Sequence, residues 1–211
     1  MNEWKVDIIS MSFGFPEAPP DIEEAIMYAR NHNVLLLAAA SNYGANKAVT
    51  WPANDERVMS IYATTGHGNR YHRNPTPGSG QNFATLGCSV LALWPPDEED
   101  VPKWAHRSGT STATPIAAGI AGLIMQVMET RKDAYLASQR MRGADMTRTT
   151  DKYQRQLDKL RTRSGMSAVF RLMVADEGMR DGYDYIAPWR LFKKEDTDHF
   201  MTQRILDAIR L

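Results

Sequence analysis

Four apolar runs organise the first half of the chain. Residues 6–12 alternate and then run apolar, and residues 34–40 are apolar without interruption, as are 57–63 and 89–93 in the main. Short runs of this kind, bounded by Gly, Pro and Asn, predict buried strands. Between the first two, Pro16, Pro19 and Pro20 mark a loop, and Ile22, Ala25, Ile26 and Ala29 recur at helical spacing. Asp21 with Glu24 three residues on predicts a capping box at the start of that helix, and Asn31-His32-Asn33 its end. Strand, helix and strand in this order predict a parallel βαβ unit. The stretch 66–82, rich in Gly, Asn and Pro, predicts an exposed loop.

After Gly109-Thr110-Ser111-Thr112-Ala113-Thr114-Pro115 the pattern changes to a helix of very small residues, Ile116-Ala117-Ala118-Gly119-Ile120-Ala121-Gly122-Leu123-Ile124-Met125. Its texture ends near Thr130, and residues 131–211 become helical and charged. The basic residues between Arg140 and Arg163 are interrupted by Asp145, Asp151 and Asp158 and have no aromatic platform among them. They predict a solvated helix face rather than a nucleic-acid surface. Tyr183, Tyr185, Ile186, Trp189, Leu191 and Phe192 gather around Pro188 and predict a patch that packs the tail onto the core.

The heptapeptide 109–115 carries the chemistry. A serine in the first turn of a buried helix meets unpaired backbone N–H groups and the positive end of the helix dipole, which favour a developing anion. Acyl-transfer enzymes place nucleophile and oxyanion donors in such a setting. The competing reading of Thr110 or Ser111 is a plain N-cap.

The heptapeptide resembles the nucleophile motif of subtilisin-like serine proteases, the subtilases, G-T-S-x-A-[ST]-P followed by a small-residue helix. Thr112 stands where Met is usual. Val6-Asp7-Ile8-Ile9-Ser10-Met11-Ser12-Phe13-Gly14 resembles the family's strand ending in S-x-G, and 34–44, ending Ala40-Ser41-Asn42-Tyr43-Gly44, its strand ending in A-[GS]-N-x-G. Trp51-Pro52-Ala53 is similar to its aromatic-Pro-Ala element. The resemblance implies Ser111 as nucleophile, Asn42 as oxyanion donor, and Ser12, Phe13 and Gly14 as the strand that pairs with a peptide substrate. The plainer reading of Asn42 is a turn residue, and of Ser12–Gly14 a strand end. The tail is similar to extensions in large multidomain fungal proteins carrying subtilase-like modules.

Subtilases order their triad Asp, His, Ser, with acid and base ahead of the S-x-G strand. No D-[ST]-G and no H-G-T-H occurs in this chain. The expectation is an α/β fold: a three-layer parallel-sheet domain of subtilase type lacking its N-terminal half over 1–130, and a helical C-terminal extension over 131–211. The expected function is a serine endopeptidase domain, incomplete without the family's Asp and His, with a non-catalytic peptide-binding module as the alternative. The missing half would come from a longer gene product or another chain. Without it the strand at 6–12 leaves an open apolar edge. His106, five residues before Ser111, is the candidate surrogate base; its plainer reading is a loop residue near the cleft.

Charge and composition narrow the partners. Lys and Arg total 25 and so do Asp and Glu, so no net field steers the chain to nucleic acid or anionic membranes. No apolar run in the sequence pattern suggests a membrane span, and no charged-then-apolar leader follows Met1. With the single Cys88 excluding an internal disulfide framework, this points to an intracellular protein or a fragment of something larger. His32, His67, His72 and His199 are scattered without metal-ligand spacing, and no phosphate loop is present, so neither a metal nor a cofactor is expected. Asp97-Glu98-Glu99-Asp100 reads as a solvated loop tip.

Overall fold

A computed structural model describes residues 5–45, 47–95, 103–174, 179–193 and 198–210. The acidic stretch 97–100 and the first four residues lie outside the described residues.

The sheet begins with β1 (Ile8–Met11), crosses through α1 (Pro20–Asn31) and returns as β2 (Leu35–Ala39). It continues in β3 (Met59–Thr64) and β4 (Phe83–Leu86), each parallel to its neighbour. Side chains alternate across β2, as a strand requires. Leu36 and Ala38 pack with Ile26 and Ala29 of α1, whereas Leu35 and Leu37 pack on the opposite layer. That layer is built on α2 (Thr110–Thr130), whose Ala113, Ala117, Ala121, Ile124 and Met128 are all buried. The small side chains let the helix lie close to the strands, so its texture is a packing requirement. By length and apolarity α2 could cross a membrane, but it packs against β1, β2, β3 and β4 as the core helix of the sheet.

The tail enters the same structure. It folds as α3 (Lys132–Met141), α4 (Met146–Leu160), α5 (Arg163–Arg171), a short hairpin of β7 (Met179–Arg180) and β8 (Tyr183–Tyr185), and α6 (Asp198–Ala208). β8 pairs parallel with β4, Phe83 opposite Asp184, so the main sheet runs β1-β2-β3-β4-β8-β7 with five parallel strands and one antiparallel. Tyr153, Leu157, Leu160, Met166, Val169 and Phe170 share one buried cluster with α2 and the sheet. Tyr153 Oη donates to the Met128 carbonyl at 2.7 Å, and burial pushes its phenol up. Part of the aromatic patch packs inward: Tyr183, Ile186 and Leu191 are buried, and Tyr183 Oη donates to Pro75 O at 2.6 Å, whereas Trp189 stays exposed. On α4, Arg148, Lys152, Arg155 and Lys159 are solvated.

Several local expectations need correction. Asp21 does not cap α1. The N-cap is Pro19, with no side-chain cap, and Pro20 takes the first helical position, where its missing N–H costs nothing. The run 89–93 does form a strand, β5 (Val90–Trp94), but it leaves the main sheet and pairs antiparallel with β6 (Lys103–Arg107). The stretch 66–82 is not uniformly exposed. Tyr71 and Asn74 are buried, and the Asn74 amide clamps Ala63, accepting from its N–H at 3.1 Å and donating to its C=O at 2.8 Å.

β1 ends the sheet on one side. It pairs with β2, and no strand among the described residues pairs with its outer edge. α4 approaches this edge at one end, where Arg161 Nε meets Asp7 Oδ1 at 2.8 Å.

Candidate active site

Ser12, Phe13 and Gly14 follow β1 and Asn42 follows β2, at the C-terminal ends of these parallel strands, and Ser111 meets Ser12 there. Gly109 opens the site. It carries φ of 149°, a backbone state that disfavours side chains, and its N–H donates to Gly87 O at 2.8 Å. A Cβ there would lie 3.1 Å from the Asn42 amide. Gly109→Ala is therefore expected to cost about 1–3 kcal/mol, read by urea denaturation; an unchanged midpoint would contradict the close approach.

Thr110 and Asn42 are locked together. Asn42 Oδ1 accepts from the Thr110 N–H at 2.9 Å and lies 3.3 Å from its hydroxyl. Thr110 Oγ1 is also 3.3 Å from the Ser41 carbonyl. With Oδ1 turned to the helix, Asn42 Nδ2 has no acceptor among the described residues. The orientation of the amide is set by the Thr110 N–H, which only an oxygen can accept. Ser111 follows Thr110 directly, so its N–H, at the open end of α2, and Asn42 Nδ2 belong to one corner.

Ser111 is half-buried, and its Oγ approaches the Ser12 carbonyl at 3.4 Å. Ser12 Oγ returns a hydrogen bond to the Ser111 carbonyl at 3.0 Å. The sequence explains this pairing. Pro115, four residues after Ser111, has no N–H to give the Ser111 carbonyl, and Ser12 supplies the missing donor. Pro115 was the signal for this contact, and the reading of Ser12 as a substrate strand alone misses it. Thr112 also has a place: its hydroxyl donates to Gly109 O at 2.7 Å and lies 3.0 Å from Gly87 O, tying the nucleophile turn to the loop after β4.

Ser12, Phe13 and Gly14 are exposed beside Ser111. Gly14 has an internal reason to be glycine, since a Cβ there would collide with the Thr50 side chain. Phe15 and Trp51 exchange backbone hydrogen bonds at 2.7 and 3.0 Å and hold this segment against the Trp51-Pro52-Ala53 element.

The histidines stand elsewhere. His106 lies on β6, exposed, with Nδ1 3.0 Å from the Ser89 carbonyl. His32 bonds Tyr28 O, His72 packs edge-on to Tyr71, and His199 stacks beside Tyr135. Burial pushes the Cys88 thiol up, which keeps it protonated and poorly nucleophilic. The site thus places the Ser111 hydroxyl one residue from the Thr110 N–H that anchors Asn42, and among the described residues no side-chain base is hydrogen-bonded to Ser111 Oγ.

The subtilase family model matches residues 2–166. The chain belongs to the subtilase family. Relatives of this subtilase include M-protease of Shouchella clausii, 31% identical over 119 residues, which are 56% of this chain and 30% of that protein. The intracellular serine protease of Paenibacillus polymyxa is 35% identical over 133 residues, 59% of this chain and 38% of that one. The chain thus spans well under half the length of these relatives. Among solved structures, the self-cleaved protease domain of PatA shares the fold at a TM-score of 0.58 and 24% identity, covering 96% of this chain and 64% of that one. The prenylagaramide maturation protease PagA does so at a TM-score of 0.57 and 20% identity, covering 100% of this chain and 64% of that one.

Proposed function

We propose that this chain is the nucleophile-bearing half of a serine endopeptidase. Ser111 Oγ attacks a peptide carbonyl, and the Ser111 N–H and Asn42 Nδ2 hold the resulting oxyanion. The observation that carries the reading is the Asn42 amide, whose oxygen is anchored on the N–H of Thr110, the residue before Ser111, and whose nitrogen donates to no described residue. The exposed backbone of Ser12–Gly14 offers an extended peptide a strand to pair with, main chain to main chain. A His and an Asp from outside these 211 residues take the Ser111 proton and orient the base.

The outer edge of β1 is where that half would enter. Beside it, Asp7, Ile8, Gly122, Met125, Leu157 and Leu160 line an open groove of about 460 Å³. An unpaired edge next to a groove that mixes these apolar residues with Gln126, Glu129, Gln154 and Arg161 suits a further strand and its covering helix, from a longer gene product or a second chain. Within this reading, 1–130 carries the site and 131–211 completes its scaffold.

A chimera tests it. The segment of M-protease that precedes its match to this chain, joined ahead of residue 5 to supply the family's Asp and His, is expected to give a chain that hydrolyses peptides and loses that activity in Ser111→Ala. A chimera that folds, by its near-ultraviolet circular dichroism, yet cleaves nothing would favour the alternative, a peptide-binding module without hydrolysis.

A further inference from the structure

The basic run of the tail does not all face water. Arg161, at the end of α4, and Arg163, at the start of α5, turn toward the N-terminal ends of the sheet strands, opposite the end that carries Ser111. There Arg30, Arg57 and Arg171 join them around an open cavity of about 970 Å³. Five guanidiniums in one cavity are a local excess in a chain whose net charge is +0.

Two of the five are neutralised. Arg57 Nη2 pairs with Asp55 at 2.5 Å and with Glu23 at 3.5 Å, and Arg161 pairs with Asp7 at 2.8 Å. The other three have no carboxylate partner among the described residues. Arg163 Nη1 donates to the backbone carbonyl of Glu56 at 2.6 Å, a neutral acceptor. Arg171 meets the neutral amide of Gln81, in the orientation that satisfies both ends of that amide. Arg30, in the last turn of α1, has no carboxylate partner among the described residues. The cavity wall holds one carboxylate, Glu56.

We propose that this cavity binds the polyphosphate chain of a small ligand. Guanidinium forks match phosphate oxygens in pairs, and three of them, one on α1 and two at opposite ends of α5, suit several phosphates in a row better than one. The helix dipole at the start of α5 adds to the attraction. No aromatic ring lines the cavity, so a nucleobase has nothing to stack on and the phosphates carry recognition. The source is then inorganic polyphosphate or a nucleoside triphosphate, bound through the same groups. This inference stands apart from the peptidase reading.

Calorimetric titration of the full chain tests it, with sodium tripolyphosphate and ATP as probes and sodium sulfate at matched ionic strength as the control. Tripolyphosphate is expected to bind at least as tightly as ATP, and both more weakly as salt is raised. The R30Q/R171Q variant is expected to bind at least tenfold more weakly with an unchanged melting temperature. Glu56→Gln is expected to tighten binding severalfold by removing the one repelling carboxylate, an effect that loss of structure would not produce. If ATP binds tighter, a nucleotide is the source; if the two are equal, it is inorganic polyphosphate. No heat with tripolyphosphate, an equal response to sulfate, or Glu56→Gln binding no tighter than the parent would overturn the proposal.

Discussion

The purified chain is expected to hydrolyse peptide substrates no faster than its own Ser111→Ala variant. The reason is the proton. A serine hydroxyl at neutral pH is a weak nucleophile until a base within hydrogen-bond reach takes its proton. Ser111 Oγ approaches the carbonyl of Ser12 at 3.4 Å, which can accept a hydrogen bond but cannot act as a base. His106, nearest in sequence among the histidines, bonds Ser89 on the hairpin of β5 and β6. In subtilisin, removing the serine or the histidine alone costs about as much as removing the whole triad, roughly 2 × 10⁶ in kcat. The oxyanion corner of Asn42 and the Ser111 N–H would leave a residue of catalysis over water, on the order of 10³–10⁴, below ordinary assay background. Fluorophosphonate labelling reads the same point at one atom: Ser111 should label no faster than an ordinary surface serine. Robust hydrolysis abolished by Ser111→Ala would mean that His106, or another base, swings in from where it now sits.

The residues proposed for this site can be picked out in the sequence because their constraints are local. Gly109, Ser111 and Pro115 are fixed by one tight turn and one helix start, and Asn42 sits at the end of a continuous apolar strand. The strands β1, β2 and β3 announced themselves as buried runs for the same reason. What escaped the sequence depends on distant partners. β4 is four residues long, and β8 is Tyr-Asp-Tyr, too short for any period to show. Each becomes a strand because the other lies beside it, about a hundred residues away in the chain. β5 has a strand's composition but the wrong sheet: its partner β6, Lys-Trp-Ala-His-Arg, has no apolar run to give it away. The arginine cavity was invisible for a like reason. Arg30, Arg57 and Arg171 lie far apart in sequence, and only the parallel sheet gathers the starts of its strands at one end.

The tail is expected to be indispensable to the sheet, and Phe170 is where that is best measured. Phe170 is fully buried and meets Phe83 of β4 edge-to-face, ring centroids 5.4 Å apart and planes at 88°. Its truncation empties the centre of the cluster shared by α2, α4, α5 and the sheet. Phe170→Ala is expected to cost about 3–5 kcal/mol, the range for a buried Phe that leaves a cavity. At about 2–4 °C per kcal/mol for a chain of this size, the melting temperature falls by about 6–20 °C. Removing everything after Thr130 goes further. It strips β8 from β4, leaving a new open edge in a sheet already open at β1, and exposes the face of α2 that is covered by Tyr153, Leu157 and Leu160 of α4. Domains of this kind rest on about 5–15 kcal/mol in all, so the shortened chain should show no cooperative unfolding. A cooperative melt of residues 1–130 near that of the whole chain would show that the sheet and α2 stand alone and that the tail only decorates them. A small effect of Phe170→Ala beside a failed truncation would place the stabilising contacts in the β4–β8 pairing instead. Phe170 and β8 both act on β4, which passes through Gly87 to the Gly109 turn, so loosening them should reach Ser111 as well.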